Sequence, residues 1–143
     1  MKTIAHQKGV GSHGRADCFV QTLTNLFVIP YGEAEKLATA SGWNVGKGIS
    51  PYDSFKALRK QGAAASILGH RNCARSLYYN CERLTYEFGG FSPTLSAWLK
   101  TPEAQIGRYA VAIRGHIFAV IDGTIYDARS NPAQSRVYAT YKL

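Results

Sequence analysis

The sequence predicts an α+β fold, with helices first and an antiparallel sheet last. Three observations carry this. Between Cys18 and Gly62 the chain holds three runs of helical periodicity, each bounded by capping or breaking residues. From Arg108 onward it switches to the alternation of strands, rich in β-branched and aromatic side chains. Asp122-Gly123, set between two apolar runs, is a strong hairpin signal. Helical and strand segments segregated along the chain describe α+β rather than alternating α/β.

Residues 1–14, with Gly9, Gly11 and Gly14, read as a loose lead-in. From Cys18 to Val28, apolar residues at Phe19, Val20, Leu23, Leu26 and Phe27 form one helical face, and Asp17 is placed to cap it. IPYGEAEKLATASGW gives a second helix from about Tyr31 to Ser41, stopped by Gly42. SPYDSFKALRKQG gives a third. Ser50 suits the N-cap, Pro51 the first turn and Asp53 the capping-box position, and Gly62 ends the helix. Residues 63–91 mix Tyr, Arg and Cys without a clear period. FSPTLSAWLKTP repeats the Ser-Pro start and predicts a short helix from about Pro93 to Lys100. Strands follow at about 108–114, 116–121 and 124–127, with another at about 136–141. No repeat, low-complexity segment or linker divides the chain, so residues 1–143 form one domain.

A chain of 143 residues can bury a core without disulfides or a structural metal. Hydrophobic residues at 45% against 18% charged place it among globular proteins and exclude disorder. No apolar run reaches the ~18–20 residues needed to span a bilayer, so no membrane partner is expected. MKTIAHQKGVGSHG lacks the apolar centre of a secretory signal, and three cysteines suit free thiols in a reducing compartment. A cytoplasmic location is the expectation. The formal charge of +8 is spread along the chain in no block, which suits a solvated basic surface and weak, non-specific attraction for nucleic acid. Cys73 and Cys81 match no usual zinc spacing, and Gly46 with Gly48 forms no phosphate loop, so neither metal nor cofactor is expected.

The hairpin carries the chemistry. If Asp122 and Gly123 are the two turn residues, His116, Phe118, Val120, Ile125 and Asp127 share one face of the sheet. Asp127 is then opposite Phe118 and diagonal to His116, roughly 7–8 Å away at the backbone and within reach of its ring. Asp122 lies ~20 Å off along the strand, at the turn. A three-residue turn would shift the register by one and turn Asp127 to the other face. Cys18 starts a helix, where the dipole and an imidazole would favour thiolate. A carboxylate would fix the imidazole's tautomer, and the Cys18 amide would serve an oxyanion. Gly115, ahead of His116, leaves room for a substrate backbone. The plain structural alternatives are a core thiol, a satisfied sheet histidine and a strand-ending aspartate. Asp122 reads as turn chemistry, His6, His13 and His70 as exposed, and Trp43 and Trp98 as core or rim.

These residues stand in stretches that resemble a family. ADCFVQTLTNLFVIPYGEAEKLATASGWNVGKGIS is similar to the opening of small, mostly phage-encoded papain-like cysteine peptidase-type proteins, with a D-C-x-x-[RQ] start. SPTLSAWLKTPEAQIGRYAVAIRGHIFAVIDGTIYD is similar to their P-T-L helix and R-G-H-x-x-A-V-x-D-G-x-x-Y-D segment. The likeness covers roughly residues 16–127. It implies a papain-like fold and catalytic positions at Cys18, His116 and Asp127, acting on an amide bond of a protein or peptide substrate. Papain-like enzymes typically carry an oxyanion Gln several residues before the Cys; here the nearest upstream Gln is Gln7. Peptidase, deamidase and transferase outcomes all share the acyl-thioenzyme step. A catalytically silent interaction module and a basic nucleic-acid binder are the alternatives.

Overall fold

The alternating stretch that begins at Arg108 builds the centre of a six-stranded sheet. The computed structural model describes residues 16–68, 92–127 and 133–143 and the backbone of 3–5. The strands are β1 (Thr3–Ala5), β2 (Ala64–Ile67), β3 (Arg108–Ile113), β4 (His116–Ile121), β5 (Thr124–Asp127) and β6 (Ala139–Lys142). Their order is β1-β5-β4-β3-β6-β2. β1 runs parallel to β5, and every other pairing is antiparallel. The described helices are α1 (Cys18–Phe27), α2 (Tyr31–Ala40), α3 (Pro51–Lys60) and α4 (Leu95–Leu99), with a 3₁₀ turn at Glu103–Gln105. Helices α1 to α3 precede the five antiparallel strands β2 to β6, with β1 added in parallel at one edge, so the chain is α+β.

The hairpin register follows from its turn. Ile121 pairs with Thr124, Val120 with Ile125 and Ala119 with Tyr126. Asp122 and Gly123 both have positive φ, 49° and 80°, as the tight turn that matches strand twist requires. Gly123 has a second reason to be glycine: a Cβ there would stand 2.6 Å from the Gln105 side-chain oxygen.

Other boundaries differ from expectation. The lead-in read over residues 1–14 contains β1, recruited by the free edge of β5 rather than by any local pattern. The region without a clear period contains β2, which pairs with β6; residues 69–91, with Cys73, Cys81 and His70, lie outside the described residues, as do His6 and His13. The short helix begins at Leu95 because Thr94 accepts from the Ala97 amide at 3.1 Å and caps it, where Ser-Pro was the expected start. The last strand runs Ala139–Lys142 in place of 136–141, since the Val137 amide is taken by the Pro93 carbonyl. Ser50 caps α3 as read, accepting from the Asp53 amide at 3.1 Å. Asp17 does not cap α1 with its side chain.

The sheet is covered on both faces. One face carries Ala110, Ile117, Ala119, Ala139 and Tyr141 against Phe19, Val20 and Leu23 of α1, Ala34 and Ala38 of α2, and Phe55 and Leu58 of α3. Alanines on three neighbouring strands leave little between backbone and helix, so α1 packs closely on the sheet. The other face carries Tyr109, Val111, Phe118, Val120 and Ile125 against Leu95, Trp98 and Leu99. Double coverage explains why Ile117, Phe118, Ala119 and Val120 are all buried in sequence. Truncating Phe19 to Ala would cost about 3–5 kcal/mol, the usual range for a buried aromatic.

α1 is pinned at both ends. Arg108 donates to the Leu26 carbonyl at 2.9 Å and the Asn25 carbonyl at 3.3 Å, setting a cation on the negative end of the helix. Near the start of α1, the buried Thr22 hydroxyl lies 2.7 Å from the Cys18 carbonyl oxygen and 3.2 Å from that of Ile117. Its one proton thus joins helix to strand. No described helix is long and apolar enough to cross a membrane.

Candidate active site

His116 opens β4 and Asp127 closes β5, so antiparallel pairing brings both to the open end of the hairpin. Their side chains meet at 2.6 Å, His116 Nε2 donating to Asp127 Oδ2, with both side chains over nine-tenths buried. A carboxylate only accepts, so the Nε2 proton is held there and Nδ1 is the nitrogen left for a second partner. The His116 ring also stacks at a tilt on Phe118, 5.7 Å between centroids, which limits its rotation.

That second partner is Cys18. It is the first residue of α1, partly buried, and its side chain is hydrogen-bonded to His116. The backbone amides of Ile117 and Phe19 also serve the sulfur. The first bond of the helix runs from the Gln21 amide to the Asp17 carbonyl, 2.9 Å. The amides of Cys18, Phe19 and Val20 therefore have no acceptor within the helix, and their dipoles favour an anion.

The two residues ahead of Cys18 are held in an unusual conformation. Ala16 has φ 53°, a region costly for a residue with a Cβ. The buried Trp43 donates from Nε1 to the Ala16 carbonyl at 3.0 Å. The buried Asp17 carboxylate accepts from Tyr31 Oη at 2.7 Å and Gln21 Nε2 at 2.9 Å. This clamp, made by α2, α1 and the loop after α2, is why Asp17 is unavailable as a cap, and it sets the angle at which Cys18 enters the helix. Sequence reading took Trp43 for core or rim and gave Tyr31 no role beyond starting a helix. Their partners are 27 and 14 residues away and follow no period. The available signal was chemical: a buried Trp or Tyr needs an acceptor for its N–H or O–H.

The charges reinforce one another. Burial pushes the Cys18 thiol up, but the His116 hydrogen bond, the Ile117 amide, the imidazole's charge and the Phe19 amide together bring it below its ordinary 9.0. Burial pushes His116 down, but hydrogen bonds to Asp127 and Cys18, with the charges of both, hold it above its ordinary 6.5. Both shifts favour a thiolate beside an imidazolium.

Cys18, His116 and Asp127 are thus brought together, and Asp122 is not. Asp122 Oδ1 accepts from the Gly107 amide at 2.8 Å, and its own amide donates to the Gly107 carbonyl at 2.9 Å. Gln7 lies outside the described residues. Cys18 and His116 open on a cleft of about 290 Å³, lined among others by Ile49, Pro51, Ala112, Ile117 and Tyr141. At Gly115, φ is 68° and a Cβ would meet nothing within 4 Å, so the residue faces open space beside His116. Among the described residues no group of three or more His, Cys, Asp or Glu is arranged to hold a metal ion. Comparison with protein-family models, with curated proteins and with solved structures returns no match to this chain.

Proposed function

We propose that this chain is a cysteine-dependent hydrolase or acyl transferase acting on amide bonds of a protein or peptide. The observation that carries the reading is the hydrogen-bonded line from Cys18 through His116 to Asp127 at the edge of a cleft. The Cys18 thiolate attacks the amide carbonyl carbon, forming the S–C bond and an oxyanion. The Cys18 amide, which has no acceptor within the helix, donates to that oxyanion. The imidazolium then gives its Nδ1 proton to the departing amine as the C–N bond breaks, leaving a thioester on Cys18. Neutral His116 next takes a proton from water or another nucleophile, which attacks the thioester carbon; the C–S bond breaks, the acyl group leaves on that nucleophile, and the thiolate–imidazolium pair is restored. Asp127 keeps the Nε2 proton in place throughout, so the Nδ1 lone pair faces the reacting groups. The papain-like resemblance of residues 16–127 points to the same three positions and the same class of reaction.

The test is product analysis by mass spectrometry after incubating the chain with a mixed peptide library. Cleaved, deamidated or newly joined peptides are expected, and Cys18→Ala is expected to abolish them while leaving circular dichroism unchanged. Products that persist in folded Cys18→Ala would overturn the reading, as would no product from a native chain whose Cys18 also resists iodoacetamide.

A further inference from the structure

The cleft beside Cys18 has a composition that selects among substrates. Its volume, about 290 Å³, stands just below the roughly 300–1,000 Å³ of ligand pockets, room for one or two side chains. Its floor and walls are apolar, from Ile49, Pro51, Ala112, Ile117 and Tyr141. Ser54 also lines it, but its hydroxyl proton is held by the Pro51 carbonyl at 2.9 Å, so Ser54 can accept and not donate. Among the described residues that line the cleft there is no carboxylate and, apart from His116, one cation, Lys47.

Lys47 is placed by a stiff loop. The Asn44 amide donates to the Gly48 carbonyl and the Gly48 amide to the Asn44 carbonyl, both at 2.9 Å, and the Lys47 amide donates to Asn44 at 3.1 Å. Gly46 and Gly48, each at φ 79°, allow so short a closure. The Lys47 side chain forms no ion pair with a described residue. A cation on a fixed loop, at the margin of an apolar cleft, paired with no carboxylate among the described residues, suits a carboxylate brought by the ligand.

We propose that Lys47 is a specificity-determining residue. The cleft takes a peptide or acyl ligand with one medium-sized apolar side chain in the cavity and a carboxylate beside Lys47. This rests on the catalytic reading of Cys18. The carboxylate belongs either to an acidic side chain or to the ligand's own C-terminus.

The experiment follows alkylation of Cys18 by leucyl-peptide chloroacetamides, with iodoacetamide as the small reference. The residue next to Leu is Glu or Gln, and the far end is a free carboxylate or an amide. The acid-bearing probe is expected to react about two- to fivefold faster than its neutral isostere, what an exposed ion pair supplies, and the advantage should shrink at high salt. The pair that carries the ratio identifies the source of the carboxylate. Lys47→Met should bring the ratio to one, and Lys47→Glu should invert it. Replacing Leu by Gly should slow labelling about tenfold, as loss of a partly buried apolar side chain implies. Equal rates for acid and isostere in a chain whose Cys18 labels readily with iodoacetamide would overturn the Lys47 assignment alone. A ratio that survives Lys47→Met would do the same. Failure of iodoacetamide to label Cys18 in the native chain would instead overturn the catalytic reading beneath it.

Discussion

At its closed end the β4–β5 hairpin holds Asp122, and at its open end Asp127. Both are aspartates on the same two strands, and their neighbours give them different roles. Asp122 is exposed, has positive φ, and spends one carboxylate oxygen on the Gly107 amide. Asp127 is buried and presents an oxygen to His116 at 2.6 Å. The turn aspartate closes a loop, and the strand-end aspartate polarises a ring. Residue type alone does not distinguish them. Distance from the turn, counted in residues of alternating face, does.

The largest way to break the comparison is to remove each carboxylate in turn. Asp127→Ala should cut turnover, or Cys18 alkylation near neutral pH, by up to about 10⁴-fold, the value for a serine triad, with cysteine systems losing less. Asp122→Ala should leave the rate within about twofold, because it stands ~20 Å along the strand from His116. Equal losses in two folded variants would end the distinction.

The pH profile sharpens it. The reactive form needs Cys18 ionised and His116 protonated. Activity should fall on the acid side as Cys18, held below 9.0, takes up its proton. It should fall on the alkaline side as His116, held above 6.5, loses its own. The result is a bell. Asp127→Ala should move the alkaline limb to lower pH, since the carboxylate that raises His116 is gone, while Asp122→Ala should move neither limb. Rates across a pH series in the three proteins check this.

The closed end has its own, smaller signature in stability. Gly123→Ala should cost about 1–3 kcal/mol, the usual range for a strained backbone position, with Gln105 displaced as well. Asp122→Ala should cost about 1 kcal/mol through the lost bond to Gly107. Urea unfolding measures both, and neither variant should change Cys18 reactivity.

The hairpin was legible because its information is local. Asp-Gly sets a two-residue turn, the turn sets the register, and the register puts His116 and Asp127 on one face. The helix containing Cys18 was legible from the spacing of Phe19, Val20, Leu23 and Leu26. What was not legible depends on partners far along the chain. β1 pairs with β5 through a strand of three residues within a glycine-rich stretch, more than a hundred positions away. Arg108 reaches the end of α1 across 82 positions and Trp43 reaches Ala16 across 27, with no repeat to announce either. The cap expected at Asp17 failed for the same reason, because Tyr31 and Gln21 claim the carboxylate.

The smallest expected effect concerns the charge outside the hairpin. We expect only weak nucleic-acid binding from a net +8 spread without a stripe. Neutralising six phosphates would give a log–log salt slope of about −5 on duplex DNA, and fluorescence titration at several salt concentrations measures it. Sequence-specific binding that survives physiological salt would favour a nucleic-acid role over a hydrolytic one.

The central claim is that Asp127, through His116, holds Cys18 as a thiolate. The most direct measurement is a pH titration of far-ultraviolet thiolate absorbance, with Cys18→Ser subtracted so that Cys73 and Cys81 cancel. The native chain should show a Cys18 transition below the ordinary thiol range, and His116→Ala should move it up. Asp127→Ala should move it up as well, because the imidazolium that favours the thiolate loses the carboxylate that holds its proton, and Asp122→Ala should leave the curve unchanged. A Cys18 transition at or above the ordinary range, indifferent to His116, would contradict the account and make Cys18 a structural thiol.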